Sequence, residues 1–201
     1  MYDYRKMDPE QRKYIVHLRQ LRRYPWHGPP HAGSETCYRI VTGACYEHKH
    51  ILHSPERLAW FEEELLASLR EGGLHCAAWS VMPNHYHVLV LVENVRKLSS
   101  LLGRLHGRTS RRINLGDGTP GRQVWYRCQD CFMRSERHFH TSRNYVHHNP
   151  VRHGYVDKWQ TWPFSSVHWY LEHKGRDWLL EMWREYPLRD YGAKWDVFQT
   201  A

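Results

Sequence analysis

The feature that most constrains the fold is a pair of strand-like runs, Cys76-Ala77-Ala78-Trp79-Ser80-Val81-Met82 and His85 through Val92, separated only by Pro83-Asn84. Two β-type stretches joined by a two-residue connection form a hairpin, so these residues commit the chain to an antiparallel sheet. The most apolar stretch, Val88-Leu89-Val90-Leu91-Val92, lies between His87 and Glu93. It is far short of the ~18 residues that a membrane span needs, and no membrane association is expected.

The hairpin is embedded in a longer alternation. Thr36 through Thr42 has strand composition, with aromatic and branched residues. Ser54-Pro55 supplies an N-cap and a first-turn proline, Leu58, Phe61, Leu65, Leu66 and Leu69 follow at helical spacing, and Gly72-Gly73 closes that helix. A second helix is expected over 98–112, with Leu98, Leu101, Leu102 and Leu105 inward and its arginines outward. Gln123-Val124-Trp125-Tyr126-Arg127 reads as a fourth strand, and a helix from about Ser135 is expected to end by Asn149, because Pro150 disfavours α conformation in the residue before it. The order β-α-β-β-α-β followed by a helix resembles an α+β, ferredoxin-like split βαβ unit with a single antiparallel sheet. A basic arm over 1–35, rich in Pro and Gly, is expected to precede a catalytic domain over 36–168, with a C-terminal extension over 169–201.

Charge narrows the partner. The 201 residues hold 29 Lys and Arg against 21 Asp and Glu, a formal net charge of +8, which points to an anionic partner, most often nucleic acid. The excess is uneven: residues 95–127 carry Arg96, Lys97, Arg104, Arg108, Arg111, Arg112, Arg122 and Arg127 against Asp117 alone. Such a run is either a solvated face or a phosphate path. Five scattered cysteines argue against a disulfide framework, and Met1 through Lys6 lacks the apolar core of a secretory signal, so a reducing cytoplasm is expected.

With 17 histidines, chance alone gives about 1.4 His-x-His triplets, and three occur: His48/His50, His85/His87 and His138/His140. Geometry separates them. On a strand, residues two apart share a face, so His85 and His87 converge while Tyr86 points away; on a helix, His138 and His140 diverge. Two polar residues on a half-exposed sheet face would also produce the pattern. A zinc site combining that pair with Cys128-x-x-Cys131 is a second alternative, although a single CxxC is weak and Asp130 suits a closed sulfur site poorly. Tyr145 and Asn149 are one helical turn apart, among Arg143, His147, His148 and Arg152, which is an unusually polar setting for a core aromatic.

Val81-Met82-Pro83-Asn84-His85-Tyr86-His87-Val88 resembles the histidine–hydrophobic–histidine motif of single-tyrosine transposases. Asn144-Tyr145-Val146 through Asn149-Pro150-Val151-Arg152-His153-Gly154-Tyr155-Val156 resembles their nucleophile helix and the segment after it. Trp162-Pro163-Phe164-Ser165-Ser166 is similar to a stretch of the REP-associated tyrosine transposases, and Trp125-Tyr126-Arg127 with Asp130 fits their intervening segment. The likeness covers about residues 36–168. Cys128, Cys131 and His148 depart from it, standing where hydrophobic or aromatic residues are expected.

The resemblance implies that Tyr145 is a nucleophile and that His85 and His87 bind a divalent metal, with Asn149 at the third-ligand position. Imidazole and amide-oxygen ligands suit Mg²⁺ or Mn²⁺, Mn²⁺ being the better match to imidazole. The implied chemistry is cleavage of single-stranded or hairpin DNA through a 5′-phosphotyrosine, which conserves the bond energy and needs no ATP. A free phenol has a pKa of about 10 and needs help toward phenolate at neutral pH. Arg104, Arg108, Arg111, Arg112, Arg127, Arg143 and Arg152 are the expected DNA contacts, in a monomer or homodimer. No paired carboxylates suggest a glycosidase or a two-metal polymerase. The competing functions are a hairpin-binding protein that retains the fold without cleavage, and a zinc-dependent hydrolase.

Overall fold

The computed structural model describes residues 36–193 and Trp195, together with Asp8 and Glu10. The expected arm over 1–35 otherwise lies outside the described residues. Strands β1 (Cys37–Ala44), β2 (Cys76–Met82), β3 (His85–Val92) and β4 (Gln129–Phe132) form one sheet in the order β2-β3-β1-β4. Every pairing is antiparallel, and β1 and β2 flank β3 as a split βαβ unit requires. The expected α+β class is therefore found. Among the described residues, no helix is long and apolar enough to cross a membrane.

Helix α1 (Pro55–Glu71) begins where the sequence places it, with the Ser54 hydroxyl accepting from the Arg57 amide. Helix α2 (Val95–Gly116) is longer than the 98–112 expected, because Asn94 caps it by accepting from the Arg96 and Lys97 amides. These two helices cover one face of the sheet. Their core joins Phe61, Leu65, Leu69, Leu102 and Leu105 to Val41, Val81, Val88 and Val90. Helix α3 (Glu136–Arg152) covers the other face, where Tyr145 and Val146 pack with Ile40, Ala78 and Leu89.

Three further boundaries differ from the sequence reading. The fourth strand lies at 129–132, not 123–127. Trp125 makes only an isolated bridge to Cys45, because its indole turns into the core against Phe61 and His106 and donates to the Thr109 hydroxyl. Further along, the Arg39–Asp130 ion pair at 2.6 Å, nearly excluded from water, ties β4 to β1. Helix α3 runs through Pro150 to Arg152, since a proline in the last turn forfeits one backbone bond while the turn stays buried and closes through His153 N–H to Asn149 C=O. After it, α4 (Val167–Lys174) crosses the boundary expected at 168/169, and α5 (Arg176–Glu185) follows.

The period-two alternation of β3 decides what each face receives. Tyr86, Val88, Val90 and Val92 enter the core under α1 and α2, while Leu89 lies under α3. Tyr86 is fully buried, its hydroxyl 3.0 Å from His106 Nε2 and 3.5 Å from Cys128 Sγ. Burial pushes His106 down to about 4, so its ring is neutral. Gly43 is the β1 partner of Tyr86, and a methyl group there would overlap the phenol ring. The anchored ring cannot swing aside. Gly43→Ala should therefore destabilise the chain by about 1–3 kcal/mol. A urea denaturation midpoint equal to that of the wild type would contradict this packing.

Candidate active site

His85 and His87 stand on the α3 face of β3, both fully buried, with ring centroids 5.0 Å apart and nearly perpendicular. The period of the strand brings them together, as their spacing predicts. His87 Nδ1 lies 2.8 Å from the Thr42 hydroxyl of β1, its register partner. His85 Nδ1 lies 2.6 Å from Asn84 Oδ1, and His85 Nε2 lies 2.9 Å from Asn149 Oδ1. Asn149 is fully buried, one helical turn beyond Tyr145 on α3. The Tyr145 ring meets His87 edge-on at 5.3 Å. Two imidazoles, an amide oxygen and a phenol thus converge where α3 crosses β3.

The donor set suits a divalent cation. A neutral imidazole has one N–H, yet both nitrogens of His85 face amide oxygens. In a neutral ring one of those two nitrogens keeps its lone pair, and that lone pair is the donor a cation takes. Among the described residues no three His, Cys, Asp or Glu side chains gather to hold a metal. A metal here would take its third protein ligand from Asn149, an amide. Two imidazoles and a carbonyl-type oxygen suit Mn²⁺ better than Mg²⁺.

The other pairs do not converge in this way. His138 reaches Tyr191 and His140 stacks on Tyr186, as divergent positions on a helix must. His50 is exposed and bonds to Tyr155, while His48 packs near Tyr126. Cys128 lines the α1–α2 core and Cys131 packs on the α3 side, so the CxxC pair is divided between the two faces.

Tyr145 itself is only 1% exposed. Tyr191 and Trp195 pack edge-on against it at 5.6 and 5.5 Å, and Gly192 passes so close that a Cβ there would strike the ring. Arg152 places its guanidinium 5.7 Å from the ring centroid and donates to the Trp195 carbonyl. Tyr191, Gly192 and Trp195 thus cover one side of the ring.

The expected phosphate contacts divide. Arg104 and Arg111 are exposed on α2 and Arg127 is exposed beyond it. Arg108 instead pairs with Glu64 at 2.8 Å and donates to Ser68, and Arg112 lies 4.4 Å over the Trp60 ring, so both are engaged with α1. Arg143 is placed contrary to expectation. It is 2% exposed, between Tyr170 and Trp178 at 5.4 and 4.8 Å, where α4 and α5 dock on α3. A guanidinium desolvated by two rings contributes packing and cation–π attraction there and is closed off from phosphate.

Four neighbours of the site escaped the sequence reading. Thr42 needed the strand register. His153, whose ring lies 4.8 Å from that of His85, continues the Tyr145–Asn149 stripe by one more turn and was hidden by ending the helix at Asn149. Asn84 stands in the turn of the hairpin, and Tyr155 reaches it with its hydroxyl at 3.3 Å.

Comparison with known proteins identifies the family. The family model described as "Transposase IS200 like" matches residues 34–149. The chain is 28% identical to the REP-associated tyrosine transposase of Escherichia coli K12, over 45% of this chain and 53% of that protein. It is also 28% identical to a Haemophilus influenzae protein provisionally given the same name, over 44% of this chain and 56% of that one. The matched part thus spans little more than half the length of these relatives. The structure of a REP-associated tyrosine transposase bound to a REP hairpin superposes with a TM-score of 0.57 at 18% identity, covering 71% of this chain and 83% of that chain, a likeness of fold.

Proposed function

The chain belongs to the IS200-like transposase family, and from that premise we propose that it cleaves and rejoins single-stranded or hairpin DNA with Tyr145 as nucleophile. The observation that carries this reading is the approach of the buried Tyr145 ring to His87, beside His85 and Asn149. A hairpin substrate accords with the DNA held by the structural relative.

In the proposed reaction the phenolic oxygen of Tyr145 forms a bond to phosphorus as the bond from phosphorus to the 3′ oxygen breaks. The phenol loses its proton and the leaving 3′ oxygen gains one. The strand is then held as a 5′-phosphotyrosine, and attack by a 3′-hydroxyl reverses the step. His85, His87 and Asn149 would hold Mn²⁺ or Mg²⁺, which supplies charge neutralisation at the scissile phosphate. The chain supplies the remainder. Helix α3 fixes the phenol relative to β3, Thr42 orients His87, and the buried walls exclude competing water.

His85→Ala and His87→Ala should each lower the rate of metal-dependent cleavage of an end-labelled DNA hairpin by about 100-fold or more. Tyr145→Phe should abolish it, while His48→Ala and His138→Ala retain it. Wild-type cleavage in excess chelator, or equal losses in all the histidine variants, would contradict the assignment.

Arg104 and Arg111, exposed on α2, would meet the DNA backbone. Replacing both by Ala should flatten the salt dependence of hairpin binding by up to about 1.4 units of log–log slope, at ~0.7 per single-strand phosphate. Replacing Arg108 and Arg112, which are engaged with α1, should leave the slope unchanged. The reverse pattern in a salt titration would assign the phosphate path to the other pair.

A further inference from the structure

Behind His85, on the side away from Asn149, a line of polar groups runs out to the surface. Asn84 Oδ1 lies 2.6 Å from His85 Nδ1, and the Tyr155 hydroxyl donates to that same oxygen over 3.3 Å. The Tyr155 oxygen is in turn 3.2 Å from Nε2 of the exposed His50. Each member is held from elsewhere. The Tyr155 ring stacks on Trp162 at 5.5 Å, the Trp162 indole donates to the Val81 carbonyl, and the Asn84 carbonyl accepts from the Cys45 amide.

We propose that Asn84 and Tyr155 are positioning residues that fix His85 as its Nδ1–H tautomer, so that Nε2 offers its lone pair beside Asn149; this rests on reading His85 as a metal ligand. A side-chain amide can present either its oxygen or its NH₂ group to a neighbour. The Tyr155 proton, donated to Asn84, turns the oxygen toward His85. An oxygen at that place accepts only from Nδ1–H, and a neutral ring protonated at Nδ1 has a bare Nε2. With its own proton committed to Asn84, the Tyr155 oxygen takes its second bond as an acceptor, from His50 Nε2–H. Without the hydroxyl, the amide is free to turn over. Its NH₂ would then donate to Nδ1 and drive the proton onto Nε2, the atom a metal needs.

The test compares the wild type with Tyr155→Phe, which keeps the ring on Trp162, and with His85→Ala. Long-range ¹H–¹⁵N NMR of the metal-free chain reads the His85 tautomer, and electron paramagnetic resonance follows Mn²⁺ titrations. The expected result is an Nδ1–H ring in the wild type and mixed tautomers in Tyr155→Phe. That variant should bind Mn²⁺ at least about tenfold more weakly, with unchanged affinity for hairpin DNA. Adding Asn84→Asp to Tyr155→Phe should restore the Nδ1–H tautomer, because a carboxylate only accepts. A Tyr155→Phe chain with wild-type tautomer and Mn²⁺ affinity overturns the positioning role, as does lowered thermal stability with an unchanged tautomer. Mn²⁺ binding that is insensitive to His85→Ala overturns instead the reading of the metal face, and the role of Tyr155 with it.

Discussion

The alternation of β3 is the constraint from which the rest of the molecule follows. This strand is buried on both faces; one carries apolar side chains under α1 and α2, and the other carries the two histidines beside Leu89. The apolar side holds Tyr86, Val88 and Val90 under α1 and α2 and supplies the burial that anchors the strand. Because a slip of one residue would turn that whole set away from the α1–α2 core, His85 and His87 are held on the α3 face by the same register. The close approach of Gly43 to Tyr86 reinforces this register from the neighbouring strand. Stability and the geometry of the site are two consequences of one pairing.

The site is then completed from the opposite direction. Helix α3 presents Tyr145 and Asn149 on one stripe, and its docking depends on groups that do no chemistry. Arg143 is enclosed by Tyr170 and Trp178, and Asn144 donates to the Met182 and Tyr186 carbonyls at the end of α5. His147, fully buried and pushed down to about 3 mainly by that burial, lies 2.8 Å from the Ser166 hydroxyl. The polar character that makes the sequence of this helix look like a substrate-facing surface belongs in part to these docking contacts. Arg143 and His147 are interior groups.

Much of this was legible in the sequence because local signals carried it. The hairpin, the Ser54-Pro55 helix start, and the convergence of His85 with His87 all rest on periodicity and turn chemistry acting over a few residues. What was not legible depended on long-range contacts. Trp125 left the sheet because its indole found a core slot, and α3 outlasted Pro150 because the last turn is held by its surroundings. Thr42 required the β1–β3 register, and the cover over Tyr145 comes from Tyr191, Gly192 and Trp195, far along the chain. The arginines of α2 show the same limit. Their spacing is that of one stripe, but Glu64, Ser68 and Trp60 on α1 occupy two of the four.

The proposed chemistry stands or falls with Tyr145 as the nucleophile of a DNA strand-cleaving site. Peptide mapping after trapping tests it most directly. The chain is incubated with hairpin DNA and Mn²⁺, quenched, digested with trypsin and nuclease, and read by mass spectrometry. A nucleotide mass is expected on the peptide of residues 144–152, localised to Tyr145. A modification on another tyrosine such as Tyr155, or cleaved DNA with no protein attached at any stage, would contradict it.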